Sequence, residues 1–114
     1  MRVTTDLWVS ALLRRVFSAG GFAAVVSRGA SEAGAVYLLV RNRTGEVHFY
    51  RPASQTSYDT ARPDERLFSL AETLTEDEIE KKLERERRFD ADIWVVELEL
   101  AADDVGDLFQ RVAE

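Results

Sequence analysis

Without cysteine, any chemistry in this chain must come from carboxylates, arginines, hydroxyls and a single histidine. Arg15 falls within an apolar arc of residues 4–18, where a bare charge costs several kcal/mol. It must reach water or meet a carboxylate, an anion or a backbone carbonyl, with an internal partner such as Asp90 or Asp92 expected first. Asp90 and Asp92 stand two apart, so in an extended segment they point the same way and could share a proton or a hard cation. More often such a pair caps a backbone end or pairs with nearby Arg87 and Arg88. Arg15, Glu32, Arg88, Asp90 and Asp92 together make a candidate site for a small anionic ligand or for acid/base chemistry.

Other chemistries have weaker footing. His48 is expected mid-strand, outside any Gly-rich elbow, which leaves no nucleophilic triad. One histidine and no thiolate leave only an all-oxygen metal site, and no EF-hand spacing is present; neither a metal nor a cofactor is expected. Gly29 to Gly34 could suggest a phosphate loop. It lies between two strands with no lysine or helix start behind it, so a turn needing positive φ is the expectation. Arg41, Arg43, Tyr50 and Arg51 interleave cations and an aromatic ring, a pattern that can hold single-stranded RNA. The pI near 4.9 opposes that reading, as does the strand alternation, which leaves only His48 and Tyr50 outward if Val47 and Phe49 face inward.

These residues need elements to hold them. Residues 4–18 read as a helix, with Thr4 as cap, Asp6 at its positive end, and Val3 and Trp8 at staple spacing. Its apolar arc is wider than one sheet face needs, so it is expected to be wedged in the core or shared with a second subunit. Phe22–Arg28, Ala35–Arg41, Glu46–Arg51, Leu67–Ala71 and Ile93–Leu100 read as strands. A long polar loop covers 53–65. Thr75 and Glu78 form a capping box for a helix burying Ile79 and Leu83. Val105, Leu108, Phe109 and Val112 fall at helical spacing after Asp103 or Asp104. The expected fold is α+β: a mixed, mostly antiparallel sheet of about five strands, a meander plus one crossover, with helices mainly on one face.

The length of 114 residues fits one globular domain, 1–114. Net charge is −6 but uneven: residues 1–71 hold nine arginines against six acids, whereas residues 72–114 hold six basic residues against fifteen acids. Such a split suits a partner surface, head-to-tail self-association or a solvated acidic helix. No apolar run approaches a membrane span and no secretory pattern opens the chain, so a cytoplasmic protein is expected.

Three stretches carry a family likeness: Trp8-Val9-Ser10-Ala11 leading to Arg14-Arg15, the loop Gly29 to Ala35, and Glu86 through Glu97 with its Arg-Arg-Phe-Asp centre. Together they resemble short alphaproteobacterial proteins classed only as a domain of unknown function. Proline is associated there with the position of Ala91. The resemblance implies a complete single-domain protein and carries no activity, cofactor or catalytic residue.

The leading functional expectation is a non-enzymatic interaction module that self-associates or binds a protein partner, through the first helix at Trp8, Leu12 and Phe17 or through an exposed sheet edge. The anionic-ligand or acid/base site is the alternative, and RNA binding by the 41–51 hairpin comes after it, with nucleic acid the least expected partner.

Overall fold

The computed structural model describes residues 4–42, 44–53, 66–100, 106 and 108–112. Helix α1 (Thr5–Ser18) starts where expected, with the Thr4 hydroxyl accepting from the Leu7 amide at 3.3 Å. Val3 of the expected staple lies outside the described residues. Thr5, Val9, Leu12 and Val16 form the buried stripe, one helical face spaced four, three and four apart. The helix stops at Ala19, and Gly20 follows with φ +86°, a conformation that suits glycine.

Six strands follow the helix: β1 (Phe22–Ser27), β2 (Val36–Arg41), β3 (Val47–Pro52), β4 (Leu67–Leu74), β5 (Trp94–Glu99) and β6 (Gln110–Arg111), with helix α2 (Glu76–Phe89) between β4 and β5. They form one sheet in the order β1-β5-β2-β3-β4-β6. The meander β2-β3-β4 is antiparallel, while α2 carries the chain back so that β5 lies parallel to β2. β1 pairs antiparallel with the outer side of β5, and β6 runs parallel to β4. The class and the mixed sheet are those the sequence predicts.

Two details differ from expectation. The helices divide between the faces instead of gathering mainly on one. Leu12 and Val16 of α1 share a core with Val36, Leu38, Val40, Trp94 and Val96, whereas Ile79 and Leu83 of α2 share one with Leu39, Phe49, Val47 and Val95. Alternation along β2 and β5 sends successive apolar side chains to opposite faces, so each face needs its own cover. The second difference is the terminal helix. Gln110 and Arg111 form a strand beside Leu67 and Phe68, and the Val112 amide donates to the Phe68 carbonyl at 2.8 Å. Pairing with an open sheet edge outweighs the helical spacing of Leu108, Phe109 and Val112, while Phe109 enters the core between Tyr50 and Phe68. The proposed cap at Asp103 or Asp104 and loop residues 54–65 lie outside the described residues.

Candidate interaction surface

The Gly29–Gly34 loop makes a junction. A Cβ on Gly29 would overlap the Asp92 carbonyl, and one on Gly34 would lie 2.6 Å from it and 2.8 Å from the Trp94 ring. Neither glycine has a positive φ, which corrects the expected reason for their presence: close approach of backbones requires them here. The Ala30 amide donates to the Asp92 carbonyl (3.1 Å), and the Trp94 indole donates to the Ala30 carbonyl (2.8 Å). At the loop's other side the first helical amides of α1, on Thr5 and Asp6, donate to the Glu32 and Ser31 carbonyls. Those donors are orphaned in any helix start, and here the loop satisfies them in place of a phosphate. Arg28 stacks 4.6 Å from the Trp94 centroid and pairs with Asp6 at 2.9 Å.

The five residues of the candidate ligand site are spread over this framework. Glu32 sits in the loop at the start of α1. Arg15 lies ten residues along that helix, about 15 Å away at 1.5 Å per residue. The Arg15 guanidinium donates to the Leu108 carbonyl at 3.0 Å, a backbone partner in place of the Asp90 or Asp92 carboxylate expected first. Asp90 accepts from the Asp92 amide at 2.9 Å, closing the turn between α2 and β5. Arg88 pairs with Glu84 one turn back on α2, across the sheet from Arg15. The junction thus brings the Glu32 loop and the Asp92 backbone together and leaves Arg15 and Arg88 elsewhere. Near Arg15, the outer side of α1 has a shallow concavity lined by Ala11, Arg14, Arg15, Ser18 and Ala19. No group of three or more His, Asp or Glu among the described residues could hold a metal ion.

On the hairpin, Arg41 lies between Glu76 and Glu97 and bonds to both, and Glu76 sits below the usual carboxylate range because that guanidinium donates to it. Tyr50 is 8% exposed with its ring edge-on to Phe109, so its face is not free to stack on a base. His48 meets the Thr73 hydroxyl at 3.2 Å. Arg51 is exposed, and Arg43 is outside the described residues.

β1 is different in kind. It ends the sheet: β5 pairs with one of its sides, and no described strand pairs with the other. Its sequence, Phe22-Ala23-Ala24-Val25-Val26-Ser27, carries no charge and no proline. Phe22 is 48% exposed, Val26 is 44% and Phe17, at the end of α1, is 52%. Phe17 and Phe22 meet edge to face with ring centroids 5.9 Å apart, so the two exposed rings form one apolar patch beside the open edge. Of the residues expected at an interface, Leu12 is fully buried in the core, Trp8 is half-buried against Phe68, and Phe17 alone projects. Phe22 and Val26 escaped sequence reasoning. Alternation identifies a strand without telling whether it ends the sheet.

Residues 3–105 match the family described as a protein of unknown function, DUF1491. The chain belongs to that family. A protein from A. tumefaciens, known from a solution structure, is 47% identical, with 100% of this chain and 98% of that chain covered and a TM-score of 0.80. A DUF1491 family protein from Caulobacter crescentus is 32% identical in its crystal structure, with 98% and 99% covered and a TM-score of 0.76. An NMR structure of a DUF1491 family protein from Caulobacter crescentus gives 33% identity, 100% and 98% coverage and a TM-score of 0.76. No curated protein matches the chain. Two of the stretches that carry the family likeness, Gly29 to Ala35 and Glu86 to Glu97, meet at the Asp92 junction and have a structural role there. In the described part of this DUF1491 chain, no helix is long and apolar enough to cross a membrane.

Proposed function

We propose that this protein is a non-enzymatic interaction module whose contact surface is the open edge of β1 with Phe17, Phe22 and Val26 around it. One observation carries this reading: a six-residue, uncharged, proline-free edge strand lies beside two exposed aromatic rings. Such an edge offers a row of unpaired amides and carbonyls, and proteins ordinarily protect it with charge, proline or shortness. The opposite edge has that protection: β6 is two residues long, covers only Leu67 and Phe68 and includes Arg111, and the part of β4 beyond it carries the charge of Glu72. At β1 the protection is confined to a bulge between Val25 and Ser27. An extended segment of a protein partner can add there, taking affinity from main-chain hydrogen bonds and selectivity from Phe22 and Val26.

The test is a titration of ¹⁵N-labelled protein with a synthetic peptide of the β1 sequence, made soluble by terminal lysines. Amide shifts confined to β1 and Phe17, abolished by Val26→Lys, are the expected result. Val26 is exposed enough for the lysine to leave the fold intact, and its charge blocks strand addition. Shifts absent from β1, or unaffected by Val26→Lys, would refute the reading.

A further inference from the structure

We infer that the strand added to β1 is β1 of a second copy, antiparallel across a twofold axis at Ala24. This rests on the β1 edge being a pairing surface, and it adds the partner and the register.

The register follows from the faces. Ala23 and Val25 belong to the α1 side of the sheet, whereas Phe22 and Ala24 pair with Glu99 and Glu97 and face the α2 side. Residues directly opposite in an antiparallel pair point to the same face. Two copies joined edge to edge by a twofold axis must therefore match like faces, and the axis passes through a single residue level. Ala24 is the centre of the run from Phe22 to Val26, the two exposed apolar side chains of the strand. With the axis there, Ala24 meets its own copy, Ala23 meets the partner's Val25, and the exposed Phe22 comes level with the partner's exposed Val26, the residue in the bulge. The smallest side chains lie on the axis, where the copies approach most closely. The apolar pair occurs twice, as an isologous contact requires.

Charge complementarity selects a second copy. Glu99, the β5 neighbour of Phe22, is exposed. At the other end of the strand the Arg87 guanidinium donates to the Ser27 hydroxyl. Antiparallel pairing brings the Glu99 end of each copy to the Arg87 end of the other, on the same sheet face. The Glu99 backbone lies about two strand spacings, roughly 10 Å, from the partner's β1 strand, where the partner's Arg87 guanidinium reaches the Ser27 hydroxyl. A chain of net charge −6 would otherwise repel its copy. Here β1 itself is neutral and its two flanks carry opposite signs.

Because the chain has no cysteine, Ala24→Cys is a clean probe. Opposed residues in an antiparallel pair have Cα atoms about 4.5–5.5 Å apart, inside the disulfide range. Mild oxidation is expected to give a covalent dimer with Ala24→Cys and far less with Leu70→Cys, half-exposed on β4. Sedimentation supplies the second arm. Glu99→Arg and Arg87→Glu each place like charges across the axis and are expected to weaken the dimer about tenfold. An equimolar mixture of these two variants regains association, because each mixed dimer contains two opposite-charge pairs. Equal cross-linking by the two cysteine variants, a mixture no tighter than its components, or a wild-type monomer at all concentrations would each overturn the inference. If the β1 peptide still shifts β1 amides in that event, the pairing edge stands and its partner is a different protein; if it does not, both readings fall.

Discussion

At Gly29 the fold depends on a missing side chain. The loop from Gly29 to Gly34 is pressed against the Asp92 carbonyl, and any Cβ at Gly29 displaces backbone on both sides. Gly29→Ala is expected to cost about 1–3 kcal/mol by overpacking, read as a lower urea midpoint with an unchanged slope. An equally stable Gly29→Ala protein would contradict the close approach. The glycines were plain in the sequence, but their reason was not. Positive φ can be guessed from a local turn, whereas collision with Asp92 involves a residue more than sixty positions away. Arg15 teaches the same lesson from the other side. Its need for a partner was legible from helical spacing, yet the Leu108 carbonyl that meets it lies 93 residues on.

Among the elements, α2 has the most local start. The Glu78 carboxylate accepts from the Thr75 amide at 2.9 Å and its hydroxyl at 3.0 Å, and the amide bond chiefly holds Glu78 below the usual carboxylate range. Glu76 is lowered by Arg41. Both folded values lie below the unfolded ones. The stabilisation they bring is complete above the ordinary Glu pKa of about 4.3 and is lost as pH falls through the folded values. Thermal unfolding followed by helical circular dichroism is expected to show a Tm decline with acid that Glu78→Gln makes shallower. Identical acid profiles would exclude a role for this carboxylate. Thr75→Ala is expected to cost about 0.5–2 kcal/mol at neutral pH in the same measurement. This capping box could be read from four consecutive residues because all its partners lie within one turn. The last expected helix rested on equally local spacing and gave way to β6, because Leu67 and Phe68 offered a pairing edge that spacing cannot reveal.

In the whole molecule, one sheet separates two cores. Leu12 under α1 and Leu83 under α2 are both essentially fully buried, on opposite faces. Leu12→Ala and Leu83→Ala are each expected to cost about 2–5 kcal/mol. Their effects are expected to add within about 0.5 kcal/mol in the double variant, because the sheet keeps the cavities apart. Strong coupling in a urea double-mutant cycle would argue against two separate cores. The two-faced burial had a visible trace in the apolar run Val36, Leu38, Leu39 and Val40. On β5 the same alternation puts Glu97 and Glu99 opposite Trp94, Val96 and Leu98, and Glu97 pairs with Arg41 on the face α2 covers.

Local order was therefore set by the sequence itself: the Thr4 and Thr75 helix starts, the stripe from Val9 to Val16, and the alternation that marks β2, β3 and β5. Each depends on neighbours within a few residues, whose interactions exist in any compact form of the chain. Tertiary structure alone decided that β1 ends the sheet, that the helices take opposite faces, that β6 pairs with β4, and that Phe17 and Phe22 remain outside together. These outcomes depend on which distant segments pair. β1 finds its partner in β5 some seventy residues away, and its other side stays open because no other described strand takes that place.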